Sequence, residues 1–455
     1  MKEGSLEAPT RHTVAWEDPD FTDRTRTEAE MRRVFDICHT CRRCFNLCDA
    51  FPRLFDLIDG SETGEIDAVP TADYRRVADA CTLCDMCFMT KCPYVPPHEF
   101  NIDFPHLMLR YRAVAHKERG IPRARRELAE TDRNGRLAGM AAPLVNRTNR
   151  NGASRRLLEK VAGIDRRAAL PAFHGRTFVK RARRSALPAD AAAPAARRKA
   201  VLYATCFVNY NDPGIGEAAQ AVLARNGVET AILHPHCCGM PKLEQGDLAA
   251  VAAAAQAVAA ALENWIDKGY DVIAPVPSCA LMLKSEWPLI VPNDAAVARL
   301  ARATFDISEY VVDIARKEGL APGLKPLDGG VTLHLACHAR AQNIGAKAAE
   351  MLRLIPGVDV TVIERCSGHG GSWGVLKENF ATALKLGRPV ARQALKQDKT
   401  HLSSECPLAA LHIRQGMEIL AEGERVPARA PHPIELFARA YGLIDAAAER
   451  KAETP

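Results

Sequence analysis

Two runs of cysteine dominate the first hundred residues: Cys38, Cys41, Cys44 and Cys48, then Cys81, Cys84, Cys87 and Cys92, followed by Pro93. Three cysteines spaced by three residues can wrap one corner of an iron–sulfide cubane, and a fourth thiolate must then arrive from another direction. In two-cluster iron–sulfur sites that fourth ligand comes from the opposite run. The pattern therefore predicts two 4Fe-4S clusters, one on Cys38, Cys41, Cys44 and Cys92, the other on Cys81, Cys84, Cys87 and Cys48. Zinc is the weaker account, because two C-x2-C pairs fill its shell and leave the third cysteine of each run without a purpose. Asp49 replaces the usual proline after the first run, and Cys87 and Cys92 are separated by four residues rather than three, but neither departure removes a ligand. Arg42, Arg43 and Lys91 flank the runs. Such charges either tune an anionic cluster or are simply solvated.

The remaining seven cysteines follow a longer rhythm. VLYATC ends at Cys206 and VTLHLAC at Cys337, 131 positions later, and both read as buried strands. Cys237 and Cys238 then follow ETAILHPH, and Cys366 follows VTVIER with Ser367 in the second place, at intervals of 31 and 29. Cys279 and Cys406 come 41 and 40 residues after Cys238 and Cys366. Two copies of one α/β unit is the economical reading. Each copy puts its cysteines at the C-terminal ends of predicted strands, where open α/β sheets gather ligands.

The elements around the first runs differ. MRRVFDICHTCRRCFNLCDAFPRLFDLI reads as helix, so the cluster region is expected to be helical rather than built of short strands. Hydrophobic residues make up 47% of the 455, and charged residues 25%, which fits a folded chain and excludes global disorder. No run of 18 apolar residues occurs, and the alanine-rich stretch 248–262 is broken by Gln256. The first twenty residues lack the apolar segment of a secretory signal. A cytoplasmic location, with thiols used for metal rather than disulfides, is the expectation.

Charge is uneven. Residues 110–200 carry 24 Lys and Arg against 7 Asp and Glu, about +17, and the rest about −11. The basic runs RARR (123–126), KRARR (180–184) and ARRK (196–199) either belong to a solvated linker or dock on a membrane surface or partner. Nucleic acid is not expected, since aromatic residues for base stacking are scarce there. LPADAAAPAARRK marks a boundary.

CFVNYNDPGIG from Cys206, CCGMPKLEQGD from Cys237, PSCALMLKSEWP around Cys279 and GHGGSWGVLKENF from Gly368, together with the paired runs, carry a resemblance. From about residue 30 onward the chain resembles the C subunit of anaerobic glycerol-3-phosphate dehydrogenases and, more distantly, the fused C and B subunits of heterodisulfide reductases. The resemblance implies a multi-domain chain: an N-terminal extension (1–30), a helical ferredoxin domain (31–110), a basic helical linker (111–199), two α/β cysteine-rich CCG repeats (200–325 and 326–445) and a tail (446–455). It implies a further iron–sulfur or zinc site on Cys206, Cys237, Cys238 and Cys279, against the alternative of buried inert thiols. Gly239 would let the chain turn beside that site. The second repeat keeps only Cys337, Cys366 and Cys406, with Ser367 and Ala409 where further cysteines would stand. Three thiolates could leave an open iron, or His338 or His369 could complete the set, although hydrogen bonding is the expected role of both histidines.

The implied function is an electron-transfer component, peripheral at the inner face of the cell membrane, passing electrons from a flavin-containing dehydrogenase partner towards quinone. A disulfide reductase acting at a CCG-bound cluster is the alternative by analogy, and a non-catalytic metal-bearing scaffold is the third reading. GIGEAAQAVLA, from Gly214, lacks the third glycine of a dinucleotide loop, so neither NAD nor FAD is expected.

Overall fold

The computed structural model describes residues 8–185 and 187–444; the expected 446–455 tail lies outside them. Helix accounts for about 54% of the chain, with two small parallel sheets.

The first cysteine run begins inside the helix Arg24–Cys41, whose start is capped by Asp23 accepting from the Arg26 N–H at 2.7 Å. Arg42 ends it in the left-handed conformation, and Ala50–Asp59 resumes after the turn. In the second run, Cys81 and Cys84 lie between Tyr74–Ala80 and Met86–Thr90, Cys87 is inside the latter helix and Cys92 follows it, and Leu83 and Asp85 are both left-handed. These unusual backbone positions curl the loop so that its thiols converge on one side. Phe104–Arg119 then crosses beneath, capped by Asp103. Arg112 on this helix donates to the carbonyls of Ala78 (2.8 Å), Cys81 and Glu244 (2.9 Å), tying it to the second run and to the first repeat.

Segment 111–199 is helical in pieces, and part of its charge is taken up internally. Arg125 pairs with Glu378, Arg133 with Glu127, Arg167 with Asp165, and Arg198 with Asp313 and Glu318. Arg155 is buried and donates to the carbonyls of Asp165 and Ala168, both at 2.7 Å. Ile164 bridges to Leu376, so the segment is stitched onto the second repeat.

The first sheet contains β1 (Lys199–Tyr203), β2 (Glu229–Leu233), β3 (Asp271–Ala274) and β4 (Thr304–Asp306), all parallel, in the order β2-β1-β3-β4. The second contains β5 (Val331–His334), β6 (Val360–Ile363) and β7 (His401–Ser404), also parallel, in the order β6-β5-β7. The first three strands of each unit thus share one order, as two copies of one unit require. β4 extends the first sheet only.

Leu248–Asp267 covers the first sheet and is the one helix among the described residues long and apolar enough to cross a membrane. Its Leu248, Val251, Ala255, Val258 and Leu262 form a buried stripe at helical spacing, while Gln256, Asn264 and Asp267 face outward. This is the pattern of a helix packed on a sheet. A single continuous apolar core joins Met31 and Phe35 of the cysteine-run helices to Val201, Leu223 and Leu262 of the first unit and Val331 and Leu352 of the second.

Candidate metal centres

Cys38 sits in the last turn of Arg24–Cys41. Burial pushes its thiol well up, and the neighbouring Cys92, Cys44 and Cys41 push it further. Cys44 is raised to about 12 by the same causes, with Cys92 the first of its thiol neighbours. Cys92 therefore stands with Cys38, Cys41 and Cys44. Cys48, also raised by burial, feels Cys84 and Cys81, and Cys87 feels Cys84, Cys81 and Cys48. The two runs exchange their last cysteines in space.

Several of these sulfurs share one local contact. Cys48, Cys81, Cys84 and Cys92 each accept a backbone N–H from two residues on, namely Ala50, Leu83, Met86 and Tyr94. Cys366 does the same from Gly368, at 3.3 Å. Such bonds favour thiolates over thiols. Arg33, Arg43, Lys91 and Arg112 also favour the thiolates, but burial and crowding outweigh them and hold the protons on, so these sets suit a group that supplies cationic iron. Among the described residues, no three Cys, His, Asp or Glu side chains stand closely enough to hold a single metal ion.

In the first repeat Cys206 opens the short helix after β1, Cys237 and Cys238 follow β2, and Cys279 lies in Pro277–Leu281 after β3. The Sγ atoms of Cys206 and Cys237 are 3.7 Å apart. That spacing equals the edge of a zinc–thiolate tetrahedron, so the first repeat suits zinc as well as an iron–sulfur group. Cys238 contacts both Cys237 and Cys279. Cys237 is lowered well below an ordinary thiol because Cys206, Cys238 and Thr131 donate to it. Thr131 Oγ1 lies 3.2 Å from its sulfur, and Asp132 accepts the Cys237 N–H at 2.7 Å while also bonding His234 Nε2 at 2.7 Å. Trp287, fully buried, donates Nε1–H to the Cys238 carbonyl at 3.1 Å. Gly239 has φ 82°, a turn that favours glycine, and an added Cβ would meet Val251 only in ordinary contact.

The second repeat is more open. Cys337 heads Cys337–Ala341 after β5, Cys406 precedes Pro407–Leu420 after β7, and Cys366 after β6 is the one exposed cysteine of the fifteen. Ser367 Oγ accepts the His369 N–H at 3.5 Å, and Ala409 lends its N–H to Cys406. His338 uses both ring nitrogens: Nδ1 is 2.8 Å from Ser278 Oγ, and Nε2 is 3.3 Å from the Leu83 carbonyl. His369 is buried, with Nε2 lacking a hydrogen-bond partner, and burial lowers it to about 3, with His412 adding to the effect. The glycine loop presses on the second run: a Cβ on Gly370 would stand 2.5 Å from Thr82 Cγ2, and Trp373 Nε1 donates to the Asp79 carbonyl at 2.9 Å.

The four sets follow one another. Cys44 is within electrostatic reach of Cys87, Cys84 of both Cys366 and Cys337, and Cys406 of Cys279. Sequence reasoning missed Thr131, Asp132, Arg112, Ser278 and Trp287 as neighbours of these sulfurs. Ser278 and Trp287 lie within the PSCALMLKSEWP motif, and Asp132 is one of the 7 acidic residues in a stretch with 24 basic ones.

Comparison with known proteins adds four findings. The family described as CCG, cysteine-rich domain, matches residues 200–284. The chain is 29% identical over 318 residues to the C subunit of anaerobic glycerol-3-phosphate dehydrogenase from Escherichia coli (strain K12), covering 69% of this chain and 76% of that protein. The B subunit of fumarate reductase (CoM/CoB) from Methanothermobacter marburgensis is 29% identical over 242 residues, 52% of this chain and 45% of that protein. Lactate utilization protein A of Bacillus cytotoxicus is 29% identical over 187 residues, 39% and 74% respectively. The family resemblance carried by the motifs thus extends over 69% of the chain.

Proposed function

We propose that this chain is an iron–sulfur electron-transfer subunit, taking electrons from a flavin-dependent dehydrogenase-type partner and passing them towards a quinone or similar acceptor. The observation that carries this reading is the unbroken succession of thiol sets from Cys38 to Cys279 described above. Relatives that are subunits of a dehydrogenase and of a reductase support the general role.

Cys38, Cys41, Cys44 and Cys92 would hold one 4Fe-4S cluster and Cys81, Cys84, Cys87 and Cys48 the other, with a third site on Cys206, Cys237, Cys238 and Cys279. Iron–sulfur clusters supply one-electron reduction and oxidation when bound. The chain's residues do the rest: backbone N–H groups bond the sulfurs, burial excludes water, and the apolar core fixes the sets relative to one another. A cytoplasmic, peripheral membrane location belongs to the same proposal.

Iron and acid-labile sulfide per chain, with low-temperature EPR on anaerobically purified protein, test it. About eight irons or more are expected, and Cys41→Ala should remove one cubane's worth and leave the other. Zinc alone, or loss of all iron in that variant, would overturn the two-cluster reading. A second reading, disulfide reduction at the second repeat, is favoured by the exposure of Cys366 and the absence of a second cysteine at Ser367; turnover of a disulfide by this chain alone would select it.

A further inference from the structure

The helix Phe380–Gln397 turns Lys385, Arg388, Arg392 and Lys396 to the same side, at the spacing of successive helical turns. All four are exposed, and with Arg365, just beyond β6, they line an open cleft of about 380 Å³. Among the described residues none of the five side chains forms an ion pair; Glu364, next in sequence to Arg365, pairs with Arg340 at 3.4 Å instead. The contrast with the basic runs of 111–199 is direct, since those spend part of their charge on internal partners.

Two features turn this cleft into more than a solvated face. Arg365 immediately precedes Cys366, the one exposed cysteine, and Cys366 is within electrostatic reach of Cys84 and Cys337. Five positive charges without ion-pair partners thus adjoin the point where the thiol series comes nearest to solvent. The row from Lys385 to Lys396 is also roughly 16 Å long at 1.5 Å per residue. That is too long for one phosphate or carboxylate, and it matches a row of acidic side chains on a protein surface.

Resting on the relay reading, we propose that this cleft receives the acidic face of a redox partner protein and that electrons cross at Cys366. Charge complementarity of this kind steers encounter and fixes orientation. The partner gives or takes one electron per encounter, and the iron–sulfur clusters that the thiol sets would hold take it up or supply it.

The test uses full-length protein purified anaerobically, with Arg388→Glu/Arg392→Glu compared against Arg183→Glu/Arg184→Glu in the basic segment; all four arginines are exposed. Anisotropy of labelled polyglutamate measures docking without any redox step, and stopped-flow oxidation of reduced flavodoxin, an acidic one-electron donor, measures transfer. The cleft variant should weaken polyglutamate binding about tenfold or more and slow flavodoxin oxidation at low salt, while the control variant changes neither. Unchanged polyglutamate binding in the cleft variant, or a loss only in the control variant, would overturn the docking site. Weakened binding with flavodoxin oxidation unchanged would overturn the crossing point at Cys366. Loss of anionic-vesicle flotation in the cleft variant, with polyglutamate binding intact, would assign the cleft to lipid and overturn the proposal. A chain without iron would defeat the relay reading, yet the polyglutamate result would still decide the docking site.

Discussion

The two cysteine-rich repeats share a strand order and place their thiols at equivalent strand ends, but they finish their sites differently. In the first, three of the four thiols are buried, Thr131 and Asp132 bond Cys237 from a separate helix, and Trp287 holds the Cys238 carbonyl. In the second, three thiols remain, Cys366 is exposed, and a tryptophan at a different place in the unit, Trp373, donates to Asp79 of the cluster region. One scaffold has thus yielded a closed site and an open one. The open site is the one that faces both the second cysteine run and the cationic cleft.

Metal analysis gives the sharpest way to break that contrast. Cys238→Ala should strip the first repeat of whatever metal it holds, while Ser367→Cys, which restores a second thiol to the second repeat, should make its metal more resistant to a chelator. Equal chelator resistance in native protein and Ser367→Cys would mean that the missing thiol is not what opens the second site.

Removing the two tryptophans should separate the repeats energetically. Trp287→Ala empties a fully buried position and is expected to cost about 3–5 kcal/mol in urea unfolding. Trp373 is only half-buried, so Trp373→Ala should cost less, about 1–3 kcal/mol, mainly through its hydrogen bond and packing on the cluster region. Equal losses would argue that both repeats are sealed alike.

The smallest effect concerns Glu244, which meets Ser372 of the second repeat. Burial raises its carboxyl to about 7, with Arg112 and Ser372 opposing the rise. The folded chain therefore keeps this proton above the ordinary value of 4.5, so its contribution to stability is largest below about pH 4.5 and is lost as pH rises towards 7. Glu244→Gln should remove that dependence, making the variant relatively more stable at pH 8 than at pH 5 by about 1–3 kcal/mol. Part of the side chain is solvent-accessible, which favours the lower end. An identical pH profile for native and variant protein would show that the two repeats do not trap a proton where they meet.

Much of this architecture could be read from residues alone because its signals are local. The buried runs before Cys206 and Cys337 became β1 and β5, and the matching cysteine intervals announced two units with one strand order. The short β4 carried no comparable run and went unanticipated. Asp132 and Thr131 were hidden because they reach Cys237 across 105 and 106 positions. The cationic cleft was hidden for the opposite reason. Its charges sit three or four residues apart among apolar neighbours, so no basic run appears until the helix stacks them on one side. The conspicuous runs of 111–199, by contrast, turned out to spend part of their charge on partners that only folding brings near.

His338 shows what such folding accomplishes. One imidazole, from the second repeat, bonds Ser278 of the first repeat and the Leu83 carbonyl inside the second cysteine run, at the meeting point of three thiol sets. One apolar core runs through the cluster region and both repeats, so the junction is held from three sides. An electron moving along the chain would then travel through a stiff medium whose dipoles barely reorient, and its rate should be indifferent to solvent viscosity.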